Sequence, residues 1–590
     1  MRAQTPAVSA ADLRAHVKVL ASDALEGRAA GSTGSRLAAE YIARRFRALG
    51  LGNYSEYREY IREFEFVSGL KLGDGNSLLL ADRRTGASVG GTLHGDFRPL
   101  GFSARDSVAV PCVFAGYGIV APEKEYDDYA GVDVAGKAVV VLRYSPEGSD
   151  PHSDFNRHSS LRNKVRIARE KGARAFILIT GPCDEPEDEL LKLSYDRAFA
   201  GSGIPAVSMK RSLLEMMLGE GFPTLAAIQD SINRTKRPLS FSLHPWSISL
   251  RCDVVAIPDT AANVVGYLEG ADPALRDEAI VIGAHFDHLG FGGEGSGSLV
   301  PDTHAVHNGA DDNASGVAGL LELAEYFAAG AARPARTLVF AAFDGEEAGT
   351  LGSARFVKDP PLPAERIVAM LNMDMVGRLR RNELTIHGTG TSPAWDSLVG
   401  EASAAVQGEG SLPFALTKVE DGFGPSDHSQ FYARDIPVLF FFTGSHDDYH
   451  KPSDDWDRIN YDGQERVVRF VADLAYRAAS LSSRPGFARV ASTRPPGMGD
   501  TRGFSVTLGI VPDPGQAAGG MRIGGIRPDG PAEKAGLRAG DLLVEMAGKQ
   551  VLSIYDYMGI LGELKAGQEV SVKVRRDGEL VETRAVMKKR

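Results

Sequence analysis

Five short runs of aliphatic and β-branched residues, Val264 to Leu268, Ile280 to Ala284, Thr337 to Phe343, Ile367 to Met373 and Pro437 to Phe442, alternate with helical patterns between about Asn263 and Ser482. Runs that are apolar on both sides read as strands covered on both faces, and their alternation with helices makes the sheet mostly parallel. The expected fold class is α/β: a mostly parallel mixed sheet with helices on both faces. Functional groups in such sheets gather beyond the carboxyl ends of the strands, and that is where this sequence turns polar.

The Ile280 run ends in His285-Phe286-Asp287. Gly309 to Gly316, which holds Asp311 and Asp312, leads directly into a helix. The Thr337 run opens into Asp344-Gly345-Glu346-Glu347, and the Ile367 run ends in Asn372-Met373-Asp374. Ser426-Asp427-His428 approaches the last strand, and Tyr449-His450 to Asp454 lies beyond it. Each feature alone is ordinary, since acidic residues also cap helices. Adjacent carboxylates at the mouth of a buried strand, however, are unfavourable unless solvated or paired with a cation. Four or more strand ends deliver two imidazoles and at least three carboxylates to one edge of one sheet, a ligand set suited to a pair of zinc ions.

These motifs resemble the co-catalytic zinc peptidases of family M28, which include secreted bacterial aminopeptidases. The resemblance covers Glu26-Gly27-Arg28, the helix near Leu37 to Leu49 and most of Asn263 to Ser482. It implies a zinc exopeptidase fold and two Zn2+ per chain. His285 and Asp374 would bind one ion, Glu347 and His450 the other, with Asp312 bridging both together with a shared water. It further implies Asp287 as orienter of His285, Glu346 as general base, Tyr449 as a hydrogen-bond donor to the developing oxyanion, and Asp427 and His428 beside the substrate. The implied reaction is hydrolysis of the N-terminal peptide bond of peptides with a free N-terminus. Other exopeptidase or glutaminyl cyclase chemistry on this fold, or an inactive binding protein, stay open at this point. The Gly-rich segment Gly290 to His307 departs from the family pattern. Its His304 and His307 read as loop or supporting residues, while His288 and His446 read as lining the cleft.

At 590 residues the chain needs several cores. From about Leu100 to Leu243 the pattern of short strands and a helix at Leu161 to Lys171 has no catalytic spacing. Gly136-Lys137, Gly172-Ala173 and Ile204-Pro205-Ala206 make it similar to the protease-associated domain inserted in this family. Near the end, Leu508-Gly509-Ile510, Gly530 to Leu537 and Gly540-Asp541 resemble a PDZ domain of the bacterial protease kind. That implies a peptide groove at Leu508, Gly509 and Ile510 for a C-terminal ligand. The expected organisation is a discontinuous peptidase domain at 9–95 and 246–482, an inserted domain at 96–245, a Pro, Gly, Ser and Arg-rich linker at 483–502 and a PDZ domain at 503–590.

The first segment reads as a helix capped by Ser9 with Leu13, Val17 and Leu20 inward, and a second shows an apolar face at Leu37, Tyr41, Phe46 and Leu49. Lys and Arg total 66 against 77 Asp and Glu, with no basic stripe, so nucleic acid is not an expected partner. No run approaches the ~20 apolar residues of a membrane span, and Met1 to Ala11 lacks a signal-peptide core. The family resemblance nonetheless points to an extracytoplasmic setting. Cys112, Cys183 and Cys252 are spaced too widely for a disulfide framework and read as inert core thiols.

Overall fold

A computed structural model describes residues 8–55, 57–150, 153–195, 201–330, 333–406, 413–490, 506–512, 519–527 and 529–589. An eight-stranded sheet runs Ile61–Leu72, Val254–Leu268, Thr337–Phe343, Ala279–His285, Ile367–Met373, Val438–Phe442, Glu383–His387, Ala415–Val419. Its four central strands, Thr337–Phe343 to Val438–Phe442 in that order, pair in parallel. Their carboxyl ends therefore share one edge.

Every residue of the strands Ala279–His285, Thr337–Phe343 and Ile367–Met373 is buried. Alternate side chains point to opposite faces, as strand geometry requires. Ile280, Ile282, Phe340 and Leu371 pack beneath the helices Ala10–Leu20, Thr33–Ala48, Gly316–Ala329 and Tyr461–Ala479. Val281, Val339, Ala341 and Met370 face Phe356 and Phe431 on the other side. At roughly 1.5–3 kcal/mol per buried large apolar side chain, two such faces hold the strand ends in fixed register.

The Ser9 hydroxyl caps the first helix by accepting from the Asp12 amide. The second helix turns Ala38, Ala39 and Ala43 inward beside Ile42 and Phe46, all buried, whereas Leu37 is exposed. Alanines let the helix approach the sheet closely, which a reading by side-chain size alone does not capture.

The strands Ile61–Leu72 and Val254–Leu268 pair antiparallel from Ile61↔Val264 to Leu72↔Val254. This ribbon carries the chain out to a second eight-stranded sheet and back. The second sheet already includes Ser77–Asp82 and Ser88–Gly91, and it extends through Ser240–Arg251. Residues 77–91, assigned above to the peptidase part, thus supply strands of the inserted one. A further sheet of short strands with the helix Ile554–Glu563 forms the C-terminal unit around its own small core. That unit meets the inserted one through Arg166–Glu563 and Arg169–Asp556, each at 2.7 Å.

The expected linker differs in its first part. Arg484 pairs with Glu278 at 2.6 Å, the Ala488 amide donates to Thr391 O, and the Val490 amide donates to the Tyr432 hydroxyl. Residues 491–502 lie outside the described residues. Cys112 and Cys252 are core thiols, but Cys183 is exposed. Among the described residues no helix is long and apolar enough to cross a membrane.

Candidate metal centre

The parallel edge gathers the polar residues that the sequence placed at strand ends. His285 closes its strand, and the ladder continues one residue further through Phe286 N donating to Phe343 O at 2.9 Å. Its Nε2 lies 3.4 Å from Asp312 Oδ1 and 3.3 Å from Asp374 Oδ1. Across Asp312, His450 Nε2 lies 3.1 Å from Oδ2 and 3.2 Å from Glu347 Oε1. His288 joins on that side, with Nδ1 at 2.8 Å from the same Glu347 oxygen and 3.9 Å from Asp312 Oδ2. His288, expected only as cleft lining, is therefore part of the cluster. Its place one residue after His285-Phe286-Asp287 is the signal that could have marked it.

Whether these donors fit a cation can be judged from spacing and from unsatisfied atoms. Four nitrogen and oxygen ligands at about 2.0–2.1 Å around a tetrahedral zinc stand about 3.3 Å from one another. The two triads, His285/Asp312/Asp374 and Asp312/Glu347/His450, show separations of 3.1–3.4 Å to their imidazoles. Among the described residues, His285 Nε2 and Asp374 Oδ1 are buried yet have no hydrogen-bond partner. Such stranded polar atoms are costly, and a shared cation would satisfy both. The donor set fits two ions sharing Asp312.

The supporting shell is mostly backbone. Asp287, fully buried, accepts from the Glu346 amide at 2.9 Å and the Glu347 amide at 3.2 Å. Its carboxylate therefore shapes the turn that presents both glutamates. His285 Nδ1 faces the Asp287 carbonyl oxygen at 3.3 Å, with the carboxylate at 3.6 Å. Asp454 Oδ2 accepts from the amides of Asp311 and Asp312, at 2.9 and 3.1 Å. Ser426 donates to Asp374 Oδ2 at 2.8 Å and accepts from Asn372 at 2.9 Å. Arg28, wholly buried, donates to the carbonyls of Leu20, Phe286, Asn308 and Gly309, so it ties the His285 strand end to the Asp312 loop. Burial lowers its pKa to about 10, against the opposing pull of Asp287 and Asp312. Gly27 beside it has φ +67°, and a Cβ there would stand 2.4 Å from Gly290 O, so no side chain can be admitted at that crossing.

Charge in the cluster is strongly unequal. Burial would depress His285, but Asp374 and Glu346 hold it well above the usual histidine range. Against burial, the adjacent imidazoles of His285 and His450 hold Asp312 well below the carboxylate range. Burial and Asp312 push Glu347 up, yet His288 and His450 bring it down to about 2. Its neighbour Glu346 goes the other way. Burial, reinforced by Glu347, Asp427 and Asp374, drives it well above the carboxylate range despite His285. Adjacent residues of identical chemistry are thus shifted in opposite directions. Glu346 keeps 12% of its side chain exposed at the mouth, 4.0 Å from His285 Nε2.

Tyr449 stacks on His450 with ring centroids 3.8 Å apart. Burial and the surrounding carboxylates raise its hydroxyl pKa, so it stays a donor. Asp427 and His428, expected beside substrate, are fully buried. The His428 ring stacks on Phe440 at 4.5 Å, and burial lowers its pKa to about 3. A Cβ on Gly424 would stand 2.6 Å from His428 Nε2. The residue of this segment that reaches the centre is Ser426. Burial raises Asp427 to about 7. His446 pairs with Asp311 at 3.2 Å rather than with the two triads. In the C-terminal unit, Leu508 is buried, Gly509 has φ +79°, and the Gly509 amide donates to the Thr507 hydroxyl at 2.9 Å.

The sequence of residues 263–475 matches the profile of peptidase family M28. This part of the chain is an M28 peptidase domain. Residues 505–586 match the PDZ profile and form a PDZ domain. The chain is similar to leucine aminopeptidase 1 of Uncinocarpus reesii, with 28% identity over 219 residues, 35% of this chain and 53% of that protein. It is also similar to a probable zinc metalloprotease of Pyricularia oryzae, 35% identical over 171 residues, 27% of this chain and 31% of that protein. The chain thus spans about half or less of the length of these curated relatives. Among solved structures, an aminopeptidase from Aneurinibacillus sp. strain AM-1 aligns over 82% of this chain and 98% of its own, at 22% identity and a TM-score of 0.47.

Proposed function

We propose that the chain is a two-zinc aminopeptidase hydrolysing the N-terminal peptide bond of peptides. The observation that carries this reading is the pair of ligand triads sharing Asp312, at the spacing of tetrahedral zinc ligands. His285 and Asp374 would hold one ion, Glu347 and His450 the other, and Asp312 would bridge. When bound, the ions supply Lewis-acid polarisation of the scissile carbonyl and activate water at neutral pH.

The chain's own groups do the rest. Glu346, at the open mouth and not among the close ligand contacts, is placed to accept the proton of the attacking water and return it to the leaving amine. Tyr449, kept protonated, donates to the oxyanion as it develops. Asp287 holds the turn carrying Glu346 and Glu347, and Arg28 holds the two loops in register. The inserted unit, of protease-associated type in this reading, covers the domain without supplying a ligand, and the PDZ groove at Leu508, Gly509 and Ile510 takes a C-terminal peptide. A panel of aminoacyl, N-acetylated and C-terminal reporter peptides with added zinc tests this. Turnover of the aminoacyl set alone is expected, and equal turnover of the acetylated set would refute the exopeptidase assignment.

A further inference from the structure

The Gly290 to His307 segment is the feature that the site leaves unexplained. His304 stacks on Phe291, with centroids 5.4 Å apart and planes within 6°, and takes no place in either triad. His307 is fully buried but turned inward on its own loop. Its Nδ1 donates to Ala305 O at 2.9 Å, which leaves Nε2 to accept from the Ser298 hydroxyl at 2.8 Å. Its amide donates to Gly290 O at 2.8 Å. A Cβ on Gly292 would stand 2.2 Å from His307 Cε1, so the ring occupies the space that glycine leaves. Ser298 in turn accepts from the Val300 amide at 3.1 Å. The two ends of the segment are thus cross-linked around one neutral imidazole.

The residues on either side of Ser298 are the ones that touch the metal centre. Gly297 O accepts from His450 Nδ1 at 2.9 Å, and the Leu299 amide donates to His450 O at 3.0 Å. His450 has φ +53°, a backbone conformation disfavoured for a residue with a side chain and in need of outside support, while Gly297 at φ +100° takes one that glycine adopts freely. A histidine whose Nδ1–H is committed to a carbonyl has its lone pair on Nε2. Here that lone pair faces Asp312 and Glu347. Partners of this kind fix tautomer and ring orientation of a ligating histidine.

We propose that Gly290–His307 is a positioning strap for His450, with Ser298 and His307 as positioning residues, and that cation binding at Asp312/Glu347/His450 depends on it while binding at His285/Asp312/Asp374 does not. The inference rests on the two-ion reading of the centre. The full-length chain is stripped of metal and titrated with zinc in competition with a chromogenic chelator, beside Ser298→Ala, Ser298→Thr and His307→Gln. Ser298→Ala and His307→Gln should weaken one of two sites by roughly 10–100-fold, the scale of such supporting partners, and leave the other as in wild type. Ser298→Thr, which keeps the hydroxyl, should restore the wild-type profile. Wild-type and variant chains that each hold two zincs with unchanged affinities overturn the strap alone. Equal weakening of both sites in the variants overturns its selectivity. A wild-type chain holding a single zinc overturns the two-ion reading and the strap together.

Discussion

Replacing Asp287 by asparagine removes charge from a residue that touches neither proposed ion, yet a large effect is expected. The carboxylate accepts from two consecutive amides, Glu346 N at 2.9 Å and Glu347 N at 3.2 Å, in a fully buried position. Asparagine keeps one accepting oxygen and turns an amide NH2 toward the other N–H. One charge-assisted bond, worth about 1.5–3 kcal/mol, is lost, and a buried donor is stranded at about 1–3 kcal/mol. Allowing partial relaxation, a local penalty of roughly 2–4 kcal/mol falls on the turn that carries both glutamates. Carried in full to the transition state, this is roughly a 30- to 10³-fold loss of kcat/KM. The assay is steady-state hydrolysis of a small aminoacyl amide at saturating zinc, with metal content and circular dichroism measured on the same preparations. Activity within threefold of wild type at full metal content would refute the reasoning. Activity recovered completely by excess zinc would mean that Asp287 acts on metal affinity rather than on the glutamate turn.

Further outcomes follow from neighbouring features. Glu346→Gln should retain zinc while kcat falls by roughly 10²-fold or more, whereas Glu347→Ala should lose zinc and activity together; paired metal analysis and kinetics check this, and the reverse pattern would exchange the two roles. His428 has a folded pKa lowered to about 3 by burial, so its contribution is intact above the unfolded value near 6.5 and is lost as pH falls from there toward 3. Wild type should therefore lose about 2 kcal/mol more stability than His428→Phe between pH 7 and pH 5, read as the difference in urea midpoints, and parallel pH profiles would contradict it. A chain ending at Val490, which keeps Arg484, Ala488 and Val490 on the peptidase domain, should retain small-substrate turnover. Ending at Ser482 should lower its thermal stability, and equal melting of the two truncated chains would show those contacts to be idle.

The peptidase sheet was legible because its strands are apolar on both sides and its polar residues fall where those strands stop. Residue type and position marked the strand ends that carry the cluster, and the resemblance to M28 peptidases singled out His285, Asp312, Glu347, Asp374 and His450 among the residues there. Arg28, Ser426 and Asp454 stand in the motifs without a role that the sequence reveals, because they act as links between segments distant in sequence. Arg28 reaches the carbonyl of Phe286, Asp454 caps the amides of Asp311 and Asp312, and Ser426 holds Asp374. Hydrogen bonding of this kind leaves no periodicity. A histidine beside an aspartate looks functional in sequence, whereas burial and stacking on Phe440 set the position of His428 in the fold. The sheet of the inserted unit begins earlier in the chain than the sequence pattern indicates, for a similar reason. Nothing local in Ser77–Asp82 tells that its partner is Ser240–Arg251. Leu37 illustrates the opposite bias, since the larger side chain was assigned inward although the alanines provide the close packing.

The claim on which the rest depends is that two ions share Asp312 and that both are needed for hydrolysis. Titrating metal-free chain with zinc while following turnover of an aminoacyl reporter tests it most directly. The account predicts that activity rises to a break at two equivalents per chain and that Asp312→Ala abolishes both binding steps. Full activity at one equivalent, or in the absence of bound metal, would contradict it.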